Sequence, residues 1–264
     1  MSEAIQHLLA IVAKLRDPNG GCPWDLKQTF QTMIPHLLEE SYEVVEAIEK
    51  QNIDNLREEL GDLLLQTVFL SQLAKEDNLF TFDDVVTELA EKLVRRHPHV
   101  FAGKSANNEQ EALQNWNAMK AAENQQKGHV SILDNIPQAF PALLRAEKIQ
   151  KKCSKVGFDW DNVQSVLAKV EEEIAEVKQE LNRPHFSFEK TEEELGDLLF
   201  ATVNLTRHLG VQAEESLRKA NLKFERRFRA VEQKLASLGR TLEQSSLAEM
   251  DELWNAVKAE EQEN

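Results

Sequence analysis

Apolar residues recur every three or four positions along almost the whole chain, which is the spacing of an amphipathic α-helix. This spacing predicts helices in the first half near residues 3–16, 35–50, 54–76, 82–96 and 109–123. It predicts helices in the second half near residues 140–153, 163–182, 190–209, 213–238 and 246–262. A sustained alternation of apolar and polar residues, which would indicate β-strands, does not compete with it. We therefore expect an all-α fold.

A polar and turn-rich stretch at 124–137 interrupts the helical pattern with the segments QQKGH and DNIP. We interpret this stretch as a linker between an N-terminal helical domain, residues 1–123, and a C-terminal helical domain, residues 138–264. The 264 residues of the chain suffice for two domains of this size, each with a core of its own.

The two halves repeat the same motifs in the same order, which indicates a tandem duplication. The most distinctive motif is EELGD, which occupies residues 58–62 and returns at 193–197. Four further pairs accompany it: CPWD (22–25) with FDWD (158–161), LEESYEV (38–44) with EEEIAEV (171–177), KLVRR (92–96) with KFERR (223–227), and WNAMK (116–120) with WNAVK (254–258). We therefore expect two tandem helical bundles built on one plan.

The strongly acidic composition narrows the range of partners. A net charge of −15 argues against binding along a nucleic-acid polymer, which requires clustered Lys and Arg, but it is compatible with a nucleotide at a local site. No apolar run approaches the roughly 18 residues of a membrane helix, so we expect no membrane partner. The N-terminal segment also lacks the cationic start and small-residue cleavage site of a signal peptide, which favours a cytoplasmic protein.

Pairs of acids at helical spacing form the most informative pattern in the second half. Glu173 and Glu176 are three residues apart and so share one helix face, and Glu194 and Asp197 repeat this spacing on the next helix. If the two helices are antiparallel neighbours, all four carboxylates would face one another. The first half contains the equivalent set, formed by Glu40, Glu43, Glu59 and Asp62.

The EELGD helix of the first half is apolar around nearly its whole circumference, from Leu60 to Leu70. Solvated helix faces with i,i+4 charge pairs are the ordinary explanation for spaced acids, but a helix as apolar as this one is expected to be buried together with its acids. Buried carboxylates must be paired, protonated or bound to metal, and no matching set of basic residues lies on the facing helix. An all-oxygen ligand set favours Mg²⁺, with Mn²⁺ as a substitute, whereas a di-iron bundle would require Glu-x-x-His pairs.

Cations near the second acidic cluster suggest that it binds phosphates. Lys169 precedes Glu173 by four residues and Lys190 precedes Glu194 by four, so each lysine is expected one turn earlier on the acidic face. Cations that converge on one acidic cleft would hold a polyphosphate. The following helices add further candidate contacts, namely the i,i+4 cations Lys223 and Arg227, and Trp254, which would either stack on a nucleobase or fill the core.

The two halves differ around their acids. Three positions of the second half, Lys169, Lys190 and Asn204, correspond to His36, Asn55 and Phe69 in the first. The first half therefore lacks both lysines, although its acids would still bind metal. We expect the second half to carry most of the hydrolysis, and the first to be weaker, differently selective or structural.

The motifs LEESYE and EEEIAE, each followed by EELGD, together with KFERRF and WNAVK, resemble the MazG family of all-α nucleoside triphosphate pyrophosphohydrolases. The resemblance covers nearly the whole chain, including the duplicated arrangement of the longer bacterial members. It implies a helical fold that dimerises to complete the active site. It also implies Mg²⁺-dependent hydrolysis of NTPs and dNTPs of broad base range to monophosphate and pyrophosphate, which clears unwanted nucleotides from the pool.

The resemblance also implies roles for individual residues. Glu173, Glu176, Glu194 and Asp197 match the metal ligands, and the segments that contact the nucleotide are matched by Lys169, Lys190, Glu193, Lys223, Arg227 and Trp254. Glu172 and Glu193 are the candidates for the general base because each lies beside the metal ligands. Asn204 is a further candidate for substrate binding.

Two other functions fit the same pattern. One is hydrolysis of a different nucleotide diphosphate, such as an alarmone. The other is a non-catalytic helical module whose acidic faces bind a basic partner, although Lys169 and Lys190 would repel such a partner at the second cluster. The preferred base and sugar and the attacked phosphorus do not follow from the sequence.

Overall fold

The computed structural model of the protein describes residues 3–103, 105–126 and 130–263, and these residues contain helices and no strands. The chain divides into two compact units, residues 1–127 and 128–264, which we call the first and second units. The all-α fold with two tandem helical bundles is confirmed. None of the helices in the described ranges has both the length and the apolar character needed to cross a membrane.

The first unit contains five helices that the apolar spacing predicts, each within three residues of its expected ends, and one short additional turn. The helices are α1 (Glu3–Leu15), α2 (Ile34–Glu49), α3 (Ile53–Glu76), α4 (Phe82–Arg96), the one-turn α5 (Pro98–Phe101) and α6 (Glu109–Gln126). The first three residues of the expected linker at 124–137 continue α6, and residues 127–129 lie outside the described residues.

The second unit repeats this plan. Its helices are α7 (Ala142–Ser154), α8 (Val163–Leu181), α9 (Phe188–His208), α10 (Ala213–Ser237) and α11 (Leu247–Glu263). Short 3₁₀ turns at Asp25–Lys27 and Leu242–Gln244 were not predicted, since three residues are too few to establish a helical period.

Polar caps define where the site-forming helices begin. Asn52 accepts a hydrogen bond from the backbone N–H of Asn55 at the start of α3, and Ser187 does the same for Lys190 at the start of α9. Thr81 caps α4 in the same way by accepting a hydrogen bond from the backbone N–H of Asp84. Each cap satisfies a backbone donor that the helix itself leaves unpaired, so each EELGD helix begins at a fixed point before its acids.

The central feature of each unit is a helical hairpin. In the first unit α2 packs along α3, and α1 covers part of the other side of α3. In the second unit α8 packs along α9, and α7 takes the position against α9. The hairpins bring the two acid-bearing helices of each unit side by side, as the spacing of the acids requires.

The prediction that the EELGD helix of the first half is buried together with its acids is wrong for the single chain, and the EELGD helix of the second half is also partly exposed. In α3 Leu60 is 50% exposed and Leu64 is also exposed, and in α9 Leu199 is 58% exposed. The periodicity reports where apolar residues lie but not whether the same chain covers them. The neighbouring helices of the same chain cover only part of the circumference of α3 and α9.

Candidate metal and nucleotide site

The hairpins assemble both predicted sets of acids. In the second unit one carboxylate oxygen from each of Glu173, Glu194 and Asp197 lies within 4.8 Å of the others. Glu176 adjoins this group. Partial burial, a hydrogen bond with Glu173 and the charges of Glu173 and Glu194 raise the pKa of Glu176. The sequence spacing thus correctly predicts four acids on facing helices.

Glu173 is the most buried of these acids. The residue as a whole is 4% exposed, and Oε1 of Glu173 lies 2.8 Å from Nζ of Lys169. The same ammonium lies 2.9 Å from Oε1 of Glu172, and hydrogen bonds to Glu173 and then Glu172 raise the pKa of Lys169. Oε2 of Glu173 is buried and has no hydrogen-bond partner among the described residues. A buried carboxylate oxygen of this kind fits a metal ligand.

A cavity of about 410 Å³ opens beside this cluster. It is bounded by α7, by the loop that joins α7 to α8, and by α8 and α9. Its charged lining near the cluster consists of Lys169, Glu173 and Asp197, and its aromatic lining consists of Phe158, Trp160 and Phe200. The cavity therefore joins an acidic, lysine-containing end to walls with large apolar surfaces.

A polar network holds the far wall of the cavity in place. The guanidinium of Arg207 donates to Oδ1 of Asn204 at 2.9 and 2.6 Å and to Oδ1 of Asp159 at 2.5 Å. Nε2 of His208 lies 2.9 Å from the same oxygen of Asp159. Although burial opposes the change, the hydrogen bonds from Arg207 and His208 lower the pKa of Asp159. The network thus fixes the loop that carries Asp159 against the end of α9.

Sequence reasoning missed this network, although the repeat contains a signal for it. Aligned through the CPWD and FDWD motifs, Asp159 stands opposite Pro23. Aligned through EELGD, Arg207 and His208 stand opposite Gln72 and Leu73. The network residues of the second copy are thus replaced by different residues in the first. The fold that both copies share does not explain them, and this difference is the signal.

The first unit has a matching acid cluster, and in the described part of this unit no lysine or arginine forms an ion pair with it. One oxygen from each of Glu40, Glu43 and Glu59 lies within 4.8 Å of the others. Burial, followed by the charges of Asp62 and Glu43, raises the pKa of Glu40, and burial together with Glu43 also raises that of Glu59. The ring of His36, at the position of Lys169, lies 3.7 Å from Glu39, which is outside the cluster.

The remaining predicted substrate contacts do not line the cavity. Lys190 and Glu193 lie exposed on the first turns of α9, and Lys223 is exposed on α10. Arg227 forms an ion pair of 2.7 Å with Glu261 and lies over the ring of Trp254 at 5.8 Å. The binding roles of these residues stay predictions.

Trp254 packs in the core of the second unit. It lies against the cluster formed by Val231, Leu235 and Val257, with its ring 5.1 Å from that of Phe224. The first unit contains the equivalent arrangement, in which Arg96 pairs with Glu123 and lies over Trp116 at 5.3 Å. Because both units have it, the arrangement serves to join the last helix of each unit to the preceding long one.

Comparisons with known proteins show what the chain is similar to. The model of the MazG nucleotide pyrophosphohydrolase domain matches the chain twice, at residues 28–101 and 161–231. The nucleoside triphosphate pyrophosphohydrolase of Escherichia coli K12 is 52% identical over 257 residues, which are 97% of this chain and 98% of that protein.

Similar proteins of Thermotoga maritima extend the comparison. Its nucleoside triphosphate pyrophosphohydrolase/pyrophosphatase MazG is 44% identical over 253 residues, which are 96% of this chain and 95% of that protein. A crystal structure of a mazG-related protein from the same organism is 30% identical, with a TM-score of 0.38, and covers 44% of this chain and 98% of that one.

Proposed function

The chain belongs to the MazG nucleotide pyrophosphohydrolase family, and from this premise we propose that it hydrolyses nucleoside triphosphates to monophosphate and pyrophosphate. The observation that carries the proposal is the cavity of the second unit, where Lys169, the buried Glu173 and Asp197 meet. NTPs and dNTPs of several bases are the proposed substrates. Removal of unwanted nucleotides from the cytoplasmic pool is the proposed role.

The acids of the second unit suit a hard divalent cation. Their clustered oxygens, together with the unpartnered Oε2 of Glu173, provide the ligands that Mg²⁺ prefers. Glu173, Glu176, Glu194 and Asp197 would hold Mg²⁺, and Mn²⁺ would substitute for it. When bound, such an ion supplies positive charge that stabilises the negative charge developing on the phosphate oxygens.

The cations of the second unit would orient the triphosphate. The ammonium of Lys169 already lies at the edge of the cavity between Glu173 and Glu172, where it would donate to phosphate oxygens. Lys190 lies on the first turn of the helix that carries Glu194 and would contact the chain of phosphates from the other side of the hairpin. Both would reduce the repulsion between the substrate and the acids.

Glu193 is the better placed of the two candidate general bases. Glu172 is already bonded to Lys169 at 2.9 Å, whereas Glu193 has no hydrogen-bond or ion-pair partner in the described part of the chain. Glu193 would accept a proton from the attacking water. A P–O bond between the α and β phosphates then breaks, and the products are monophosphate and pyrophosphate.

A homodimer is the proposed working form. The exposed leucines of the two EELGD helices, such as Leu64 and Leu199, form apolar faces that a second copy would cover. Lys223 and Arg227 lie away from the cavity within one chain, so a second copy would be needed to bring such residues to the nucleotide.

A product analysis tests the proposed function. The full chain is incubated with a panel of NTPs and dNTPs, a nucleotide sugar and a nucleoside polyphosphate, with Mg²⁺ or with a chelator, and the products are separated by anion-exchange chromatography. We expect monophosphate and pyrophosphate in equal amounts from NTPs, and only with the metal. Release of diphosphate and inorganic phosphate, or no turnover of any NTP, would contradict the proposal.

A further inference from the structure

The cavity of the second unit contains a buried hydrogen-bond acceptor that no proposed catalytic step uses. Gln150 lies on α7, lines the cavity and is 7% exposed. Its Nε2 donates to the backbone carbonyl of Phe200 at 2.8 Å. Its Oε1 is buried and has no partner among the described residues. Because the contact with Phe200 requires a donor, the two ends of the amide are assigned by their surroundings.

The position of Gln150 along α9 separates it from the acidic end of the cavity. Phe200, which it contacts, lies one helical turn beyond Asp197. Asn204 lies a further turn along, roughly 10 Å from Asp197 at 1.5 Å per residue. Since the metal and phosphates belong with the acids, Gln150 and Asn204 face the part of a nucleotide that lies beyond its phosphates.

Asn204 offers the complementary group. Its Oδ1 accepts both hydrogen bonds from Arg207, so its Nδ2 is the atom left for a ligand. Arg207 is itself held by Asp159, which prevents the amide of Asn204 from turning over. The inner end of the cavity therefore presents one oriented acceptor and one oriented donor.

Resting on the proposed function, we propose that Oε1 of Gln150 accepts a hydrogen bond from an N–H on the Watson–Crick edge of the substrate's nucleobase. Phosphate groups carry no donor at neutral pH, so an acceptor at this position selects an N–H or O–H group. A buried acceptor without a donor destabilises the empty cavity. A base that supplies the donor removes this cost and therefore binds more tightly.

The rest of the cavity favours the base over the sugar. Phe158 and Trp160 provide flat apolar surface of the kind on which bases stack. Every nucleobase carries a donor beside an acceptor on its Watson–Crick edge, so the pair formed by Gln150 and Asn204 suits more than one base. The same pair therefore accounts for a broad base range without requiring a loose pocket.

Substrate analogues that lack a single amino group test the role of Gln150. ATP is compared with purine riboside triphosphate and CTP with zebularine triphosphate, because each analogue lacks only the exocyclic donor. For the wild type, kcat/KM should fall about tenfold on loss of the donor, the size of one hydrogen bond. In Gln150→Met the two members of each pair should be hydrolysed within about twofold of each other, with the change mainly in KM.

Controls separate this role from others. Gln164→Met, the same change at an exposed position of α8 outside the cavity, should leave the tenfold preference intact. The ratio of ATP to dATP should not change in any variant. A change in that ratio would show that Gln150 binds a sugar hydroxyl and would overturn the proposal.

The outcome does not depend on whether the variant folds. If the wild type fails to distinguish ATP from purine riboside triphosphate, the proposal is overturned without any variant. If Gln150→Met lowers the hydrolysis of both members of each pair equally, Gln150 has only a structural role. If the wild type hydrolyses no NTP at all, the proposed function itself fails, which is a different result.

Discussion

The two units hold equivalent acids on equivalent helices but surround them differently. In the second unit Lys169 lies 2.8 Å from Glu173, whereas in the first unit His36 lies 3.7 Å from Glu39, and no described Lys or Arg forms an ion pair with the cluster. The consequence is electrostatic. Partial burial, followed by repulsion from Asp62 and Glu43, raises the pKa of Glu40.

The second difference between the units is the size of the side chains at the positions that line the cavity. Three positions that line or adjoin the cavity in the second unit, Val166, Ala201 and Asn204, correspond to Met33, Gln66 and Phe69 in the first. All three of the larger residues are buried, and Met33 and Phe69 belong to the hydrophobic core. In the first unit side chains therefore occupy the position where the second unit has a cavity. Duplication has kept the acid frame and changed what surrounds it.

The largest expected effect comes from removing one acid from each frame. Glu173→Gln should lower the rate of pyrophosphate release at least about 100-fold, because it would remove a charged ligand of the proposed metal ion, which would supply several kcal/mol of stabilisation. Glu40→Gln, the matched change in the first unit, should leave the rate within about twofold. The rates are compared at saturating NTP and Mg²⁺. Equal losses from both changes would end the distinction between a catalytic and a non-catalytic unit.

The second test uses one position of the repeat that is a core residue, Phe69, in the first unit and a cavity residue, Asn204, in the second. Phe69 is 3% exposed in the core, so Phe69→Ala should lower the free energy of unfolding by about 3–5 kcal/mol. The rate of NTP hydrolysis per folded molecule should not change in this variant. Asn204→Ala should destabilise the chain by only about 1 kcal/mol but raise KM about tenfold through the lost hydrogen bond. Denaturant unfolding and steady-state kinetics measure both effects.

The reverse pattern of effects would contradict the assignment of nucleotide binding to the second unit. If Phe69→Ala raised KM while Asn204→Ala acted on stability alone, the first unit would be the one that binds the nucleotide. Leu73→Ala, a second core change on the same helix, controls for loss of folded protein, because Leu73 packs in the core with Phe69.

Replacing one acid of each cluster by glutamine should have a smaller effect on thermal stability, with opposite signs in the two units. The folded state raises the pKa of Glu40 above its usual 4.5, so folding favours the protonated carboxyl. This stabilisation is fully present below the unfolded-state pKa and is lost as the pH rises through the raised folded-state value. With metal chelated, Glu40→Gln should therefore raise Tm near neutral pH by roughly 2 °C and change little below about pH 4.

The matched change in the second unit should act the other way. Glu173 is paired with Lys169, so Glu173→Gln removes the partner of a half-buried ammonium and should lower Tm near neutral pH. Thermal unfolding in a chelator across this pH range checks both signs. A fall of Tm in both variants would show that the first cluster is compensated after all.

The helices and the acid frame followed from the sequence because their signals are local. Apolar spacing and N-caps such as Thr81 act within one helix, and the i,i+3 acids need only a neighbouring helix to meet. Gln150 and the network of Asp159 with Arg207 did not follow, since their partners are 50 and 48 residues away along the chain and depend on how α7 and a loop pack on α9. Burial of the EELGD helices was overestimated for a related reason, because it depends on surfaces outside the hairpin.

The smallest expected effect concerns Gly61 and Gly196, which occupy the same position of the two EELGD motifs. Among the described residues, and apart from the adjacent backbone of its own helix, a methyl group at either position would meet no atom within 4 Å, so close packing of neighbouring helices in the same chain does not explain these glycines. On an open helix face, Gly196→Ala would stabilise the protein by about 1 kcal/mol. If a second copy covers this face, as we propose, the added methyl group should instead weaken the dimer a few-fold. Analytical ultracentrifugation of both alanine variants measures the association directly, and tighter or unchanged association together with a higher Tm would show that these glycines face solvent and that the dimer forms elsewhere.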